Sequence, residues 1–537
     1  MKSKGVLLAS ILLLFTCSSL RADDEQHHHS AGAEAGTERL GKVSFHSSCS
    51  PAVQKPFERA VALLHSFQYE AAEKGFRDVA QKDPHCGIAY WGVAMSFYHV
   101  IWEKPEAAVL KKGWEAVQKA ESMGTKTSRE REYIAAVAAF SRDPDKPDYA
   151  TRATAYSKAM EQLHNHYPQD GEGAAFYALA LLVAEPPHDT TLVNRKKAVA
   201  ILQKLFAEQP EHPGAAHYLI HACDTPQLAP LALDAARLYA KIAPSSAHAI
   251  HMPSHIFARL WLWKESIDSN LASAAAAEKA TNMGIEDAGY QLHAMSFLEY
   301  AYLQIGREAD ARRLIEELKT VPGAKPDDLA YPLIQFPVCY AFETHDWKKA
   351  VEIESPAGGR PAVQAMTLWA RSIGDARSGD AAAARRNLEQ LDALCSSVVA
   401  DTADYALHAY EVEREEAAAW AAYAEGKNDE AVKTLRAAAD REDSGEGPDS
   451  LAMPAREMLA DLLLELKRPA QALVEYEAAL QESPNRFDGL YGAARAAELS
   501  GDTVKAKSYY AKLVTACDLA GGERPELRQA RVFLAGK

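Results

Sequence analysis

His217 and His221 stand four residues apart in the run HYLIH, and His251 and His255 stand four apart in HMPSH. Each member of the second pair follows its counterpart by 34 residues. Imidazoles at i and i+4 share one helical face about one turn apart, so both reach a single ion. Packed helices lie ~8–10 Å apart, a gap that two facing imidazoles largely close. Neutral imidazole suits zinc, copper, nickel or iron, and no cysteine pair lies nearby to make a thiolate site. The pattern therefore predicts one transition-metal ion, zinc or copper. Asp224 is placed either as a further ligand or as the partner that fixes an imidazole tautomer. Both runs lack the glutamate of the zinc-protease signature HExxH, which argues against a metalloprotease. A histidine-bound metal would lower the pKa of a bound water and so serve hydrolysis, but nothing in the chain names a substrate.

Those residues need elements to hold them, and 34 residues is the period of a helix–turn–helix unit that stacks into a solenoid. Alanine and leucine dominate, and β-branched runs are rare, which favours close-packed helices over sheets. Near the carboxyl end Leu459, Ala460, Leu463, Ala472, Tyr476, Ala479 and Pro484 fall on the repeat's slots. Ala494, Ala497, Ala506 and Tyr510 follow 34 residues later. At the amino end Ala60, Leu63, Ala72, Phe76 and Pro84 take the same slots. Middle units run from about 213 to 246 and from about 247 to 280, and a third begins near 292. Residues 106–166 and 325–425 read as helical without a clean register.

On these slots the chain resembles the tetratricopeptide superfamily. Several blocks are similar to one family of exported bacterial tetratricopeptide proteins with no firmly assigned reaction. They are SFHSSCSPAVQKPFERAVALLHSF (44–67), DPHCGIAYWGVAMS (83–96), HPGAAHYLIHACDTP (212–226), IAPSSAHAIHMPSHIF (242–257) and PNRFDGLYGAARAAELSGD (484–502). The resemblance implies an all-α, tetratricopeptide-type solenoid, a right-handed superhelix of helix hairpins. It also implies that the first helix of each pair lines a concave groove. By that register His217, His221 and Asp224 face the groove from one unit. His248, His251, His255 and Arg259 face it from the next, and His293 from the third. Six histidines and one aspartate would then share one cavity. Pro253 disturbs this symmetry, because a proline ring clashes with the preceding turn. Either the helix starts near Met252–Pro253, leaving His248 and His251 in a loop, or it is kinked there. The cluster also admits two other readings: an organic or peptide ligand site, or histidines that merely satisfy buried groups.

His65 and His99 are also 34 apart, with Trp91, Tyr98 and Phe57 on groove slots beside them. His65, His99, Trp91 and Tyr98 are candidate contacts for a peptide or ring-bearing ligand, but core packing is the favoured reading of such aromatics. No glycine-rich phosphate loop is present. GAARAAELSGD is repeat packing, since no strand precedes it. Glu415 and Glu416 read as a solvated acidic face.

A chain of 537 residues exceeds one compact core, so a long solenoid or several domains are expected. Lys2 and Lys4 followed by the apolar run Val6–Phe15 read as an export signal cut after Ala22. Lipid anchoring through Cys17 fits less well, because Phe15 and Thr16 are poor matches to that motif. The formal charge is −15. Loss of Lys2, Lys4 and Arg21 with residues 1–22 would take it further negative, which argues against a general nucleic-acid partner. No later segment has ~20 consecutive apolar residues, so no transmembrane helix is expected. Cys49 and Cys86 would be able to pair in an exported protein. The expected division is a signal peptide over 1–22, a disordered leader with a His27–His29 run over 23–42, and superhelices over 43–355 and 362–537. Pro356–Pro361 marks the break between the last two. The expected role is an exported, periplasmic or extracellular scaffold that binds a protein segment or small ligand. A metal-dependent, hydrolase-like enzyme and a purely architectural spacer are the alternatives.

Overall fold

The computed structural model describes residues 38–98, 101, 105–145, 149–186, 189–284, 288–355, 359–398, 410–444, 453–517 and 524–536. The export signal, Cys17, the run His27–His29 and His99 lie outside the described residues. Within them every regular element is a helix, and the chain is an all-α solenoid of antiparallel helix hairpins. The hairpins follow one another along the chain, from Pro51–His65 with Tyr69–Lys82 to Phe487–Ser500 with Thr503–Cys517. Pro525–Leu534 closes the end. None of these helices is long and apolar enough to cross a membrane.

Local chemistry sets the hairpin boundaries. Ser50, Thr127, Ser246 and Asp346 each accept a backbone N–H at a helix start, satisfying donors that have no partner inside the helix. Short side chains let helices of adjoining hairpins approach closely. A Cβ at Gly92 would lie 2.3 Å from the Phe76 ring, and one at Gly492 would lie 2.2 Å from the Tyr476 ring. The same interlock thus recurs near both ends of the solenoid. Positive φ marks many inter-helix turns, at Gly306, Gly379, Gly426 and Gly501 but also at Phe67, Trp261, His345 and Lys467.

The stretches without a clean register still form hairpins, among them Ser128–Ser141 with Tyr149–His166 and Pro361–Ser378 with Ala381–Val398. Three expectations need correction. Residues 39–42 are not leader: Leu40 is 6% exposed and Lys42 N donates to Glu211 O at 2.8 Å. The break at Pro356–Pro361 does not divide the fold, because Arg39–Lys537 form one compact body. Gly374, on the helix after that loop, packs against Ala350 and Trp347 before it. Glu416 is not on a solvated face: it is buried and accepts from Trp369 Nε1 at 2.9 Å.

Carboxyl-terminal units fold back on the middle ones. Arg486 donates to Tyr300 Oη at 2.6 Å, to Glu343 at 2.7 Å and to both Glu457 oxygens at 3.0 and 3.1 Å. Gln227 Nε2 donates to Glu482 at 3.1 Å across 255 residues of sequence. This return brings Asp443 and Glu482 to the wall of a cavity that His255 and His293 also line.

At the amino end Cys49 and Cys86 form a disulfide across 37 residues. Loop closure of that length is worth about 2–4 kcal/mol. A Cys86→Ser variant is expected to melt its first hairpins at lower temperature, and reduced wild type should melt like it. Identical melting with and without reductant would contradict a stabilising bridge.

A candidate metal centre built from two histidine triads

The helix Pro213–Ala222 carries His217 and His221 on one face. The next hairpin begins with two short helices, Ala247–His251 and Pro253–Arg259, meeting at Met252. Pro253 therefore breaks the helix without unravelling it. Met252 keeps right-handed helical angles, so His248, His251 and His255 are all helical. His293 comes from Gly289–Gln304.

The six imidazoles converge as two triads. Ring nitrogens of His217, His221 and His248 lie within 4.8 Å of one another, and so do those of His251, His255 and His293. The triads adjoin: His221 and His255 rings are 6.2 Å apart centre to centre, as are those of His248 and His251. Of the six, His255 and His293 line the larger cavity and His221 a neighbouring pocket. His217, His248 and His251 are buried, while His221, His255 and His293 are partly exposed.

Hydrogen bonds fix the tautomers. His251 Nδ1 lies 2.6 Å from Asn270 Oδ1. Asn270 Nδ2 donates to Ser266 O at 2.8 Å, so the amide oxygen is the atom facing the ring. His255 Nδ1 lies 2.9 Å from Asp224 Oδ2. Both Nδ1 atoms face acceptors and must carry hydrogen. In the neutral rings both Nε2 atoms are then bare, yet they lie 3.1 Å apart. Two lone pairs at that distance repel unless a cation sits between them. Burial, then the neighbouring His293 and His255, holds His251 well below the ordinary imidazole range. Burial and His255 push His293 down to about 3.

Asp224 belongs to neither triad. One oxygen accepts from His255 and the other from Arg259 Nε at 3.0 Å. Of the two roles open to it, the structure shows that of holding an imidazole in place. Burial works to raise Asp224, but Arg259 and His255 outweigh it and hold the carboxylate well below its usual range.

The outer triad opens on a cavity of about 1130 Å³, whose wall includes His255, His293, Phe297, Asp224 and Arg259. Six carboxylates and three basic side chains line it, so its field draws cations and repels polyanions.

The described residues of the amino-terminal constellation do not form a ligand surface. Trp91 and Tyr98 are 1% and 2% exposed, packed among Phe45, Tyr133, Phe140 and Tyr156. His65 is fully buried and donates through Nε2 to Glu172 at 2.7 Å. His212 caps its helix by accepting Ala215 N–H at Nδ1 and donates from Nε2 to Glu172 at 3.2 Å. His65 Nδ1 accepts from Tyr218 Oη at 3.0 Å. Every ring nitrogen in this cluster has its partner, so it is a buttress and needs no metal. It also positions the site, because the last carbonyls of a helix lack internal partners and His65 O accepts His217 Nδ1–H at 2.6 Å.

Sequence reasoning missed Glu172, His212, Asn270 and Phe67. Asn270 had a signal: Ser266, Asn270 and Ser273 put buried polar groups at helical spacing where a core stripe belongs. Phe67 has φ 57°, and its ring lies 4.4, 5.5 and 5.7 Å from those of His217, His221 and His248.

The buttress predicts acid lability. Burial raises Glu172, but His212 and His65 outweigh it and hold the carboxyl far below its usual value. Burial lowers His65 despite Glu172. Both folded pKa values lie below the unfolded ones, so the unfolded chain binds more protons and stability falls as the pH is lowered. Loss is expected below about 6.5 for the histidine and below about 4.5 for the carboxyl. Glu172→Gln should cost on the order of 2–3 kcal/mol at pH 7 and flatten the acid limb of a melting-temperature profile. An unchanged acid limb would refute this.

No family model matches the chain, and no curated protein matches it. Among solved structures it is similar to a human IFIT1 dimer with m7Gppp-AAAA, at 12% identity and a TM-score of 0.39, covering 86% of this chain and 95% of that one. A human IFIT1 dimer with PPP-AAAA gives 13% identity and a TM-score of 0.38, over 81% and 91%. Likeness at that level carries nothing about what this chain binds.

Proposed function

We propose that the chain is a metal-binding scaffold. His251, His255 and His293 hold a zinc or copper ion at the cavity wall, leaving a coordination position for a small ligand or a side chain of a protein segment. The observation that carries this reading is the pair of bare Nε2 atoms of His251 and His255, 3.1 Å apart with both Nδ1 atoms committed elsewhere. A metal–nitrogen bond of about 2.0–2.1 Å spans that separation with an angle near 95–100°, close to what a tetrahedral or octahedral ion accepts. Asp224 and Asn270 orient the rings, as hydrogen-bonded partners do at metal sites.

Elemental analysis of untagged protein tests it. Stoichiometric zinc or copper is expected, with at least one equivalent lost in His293→Ala. Metal-free protein, loaded by neither ion, would overturn it and leave a groove scaffold or an architectural spacer.

A hydrolase is the second reading, favoured by three protein ligands and an open position, the arrangement of catalytic zinc. Metal-dependent turnover of activated esters, abolished in His293→Ala, would support it. Export belongs to the same proposal, with the Cys49–Cys86 bridge as support because disulfides persist in oxidising compartments. An amino terminus of mature protein at Asp23 would establish it, and one at Met1 would refute it.

A further inference from the structure

The inner triad carries a separate assignment, which rests on the reading of these imidazoles as ligands. His217 donates through Nδ1 to His65 O, so its Nε2 is bare. An imidazole nitrogen offers one in-plane lone pair. Yet His221 Nε2 and His248 Nε2 each lie 3.1 Å from that atom. One lone pair cannot serve two such donors well, whereas three lone pairs turned on one ion satisfy all three rings.

The surroundings fit an ion. Phe67 walls one side and keeps its ring over the triad from a left-handed turn. Tyr290 Oη donates to Phe67 O at 2.8 Å and holds the turn in place. On the other side His221 opens on its own pocket of about 370 Å³, which His255 and His293 do not line. Asp224 and Arg259 stand in the walls of both this pocket and the larger cavity. An ion thus has a route to the inner triad that bypasses the outer one.

We propose that His217, His221 and His248 bind a second transition-metal ion, making this a two-ion protein with one ion in each adjoining pocket. The inner ion ties Pro213–Ala222 to Ala247–His251 and so joins two successive hairpins. It uses three protein ligands and leaves a position on the His221 side.

Zinc titration of the full-length, chelator-stripped chain tests this, in competition with a high-affinity chromogenic chelator that hides loose binding by the run His27–His29. Wild type should take two equivalents, His221→Ala one, His293→Ala one, and the double variant none. His248→Gln, also expected at one equivalent, replaces His221→Ala if circular dichroism shows that variant unfolded. One equivalent in wild type, unchanged by His221→Ala or His248→Gln, would overturn the inner site and leave the outer one standing. Two equivalents retained in both inner variants would overturn it equally. No zinc in any form would remove both sites.

Discussion

His255→Ala is expected to weaken metal binding at the cavity-side triad by roughly 100-fold or more, more than the 10–100-fold typical of losing a supporting hydrogen bond. The variant removes one of three nitrogens and also the lone pair that opposes His251 Nε2 at 3.1 Å. The fold should survive, because His255 is partly exposed and begins no helix. Asp224→Asn separates orientation from ligation. It keeps an oxygen for the ring but removes the charge shared with Arg259. Its loss should fall within about 10–100-fold. Competition titration of both variants checks the ranking. Equal affinities in wild type and His255→Ala would rule out the triad.

Arg486→Ala is expected to destabilise the return of the carboxyl-terminal units by about 3–5 kcal/mol, the range for removing one partner from a buried ion pair. Arg486, Glu343 and Glu457 are each about 2% exposed or less. Without the guanidinium, two carboxylates remain buried with their charge uncompensated. Arg524 cannot replace it, because it is engaged with Glu343 O and Asp488. A second, earlier melting transition should appear, and the cavity wall that contains Glu482 should open. Arg486→Met combined with Glu343→Leu and Glu457→Leu should recover much of the loss, since apolar replacement of a whole buried ionic group is often neutral. A single transition at the wild-type temperature in Arg486→Ala would contradict this role.

The repeat was legible because its signals are local. Ala460, Leu463, Ala472 and Tyr476 recur at Ala494, Ala497, Ala506 and Tyr510, and small residues at helix crossings must recur wherever hairpins stack. Pro253 marked the place where the helix breaks. The six histidines were legible as a group because i, i+4 spacing and a 34-residue period both report on one face. Their division into two triads was not. It depends on which nitrogen each ring turns inward, and His65 O, Asn270 and Asp224 decide that from positions that spacing does not connect. Trp91 and Tyr98 follow the core reading rather than the ligand reading, for a related reason. The groove register places a side chain on a helix face, but Phe45 covers Trp91, and Phe140 and Tyr156 pack on Tyr98, which turns that face into core. The closure through Arg486 was illegible because its partners lie 29, 143 and 186 residues away.

Diffraction from zinc-soaked crystals, recorded on both sides of the zinc edge, tests the central claim most directly. The expected result is an anomalous peak about 2.0–2.1 Å from Nε2 of His251 and His255, with His293 turned toward it. Empty density there, with the two nitrogens still about 3 Å apart and bridged by a proton, would contradict it.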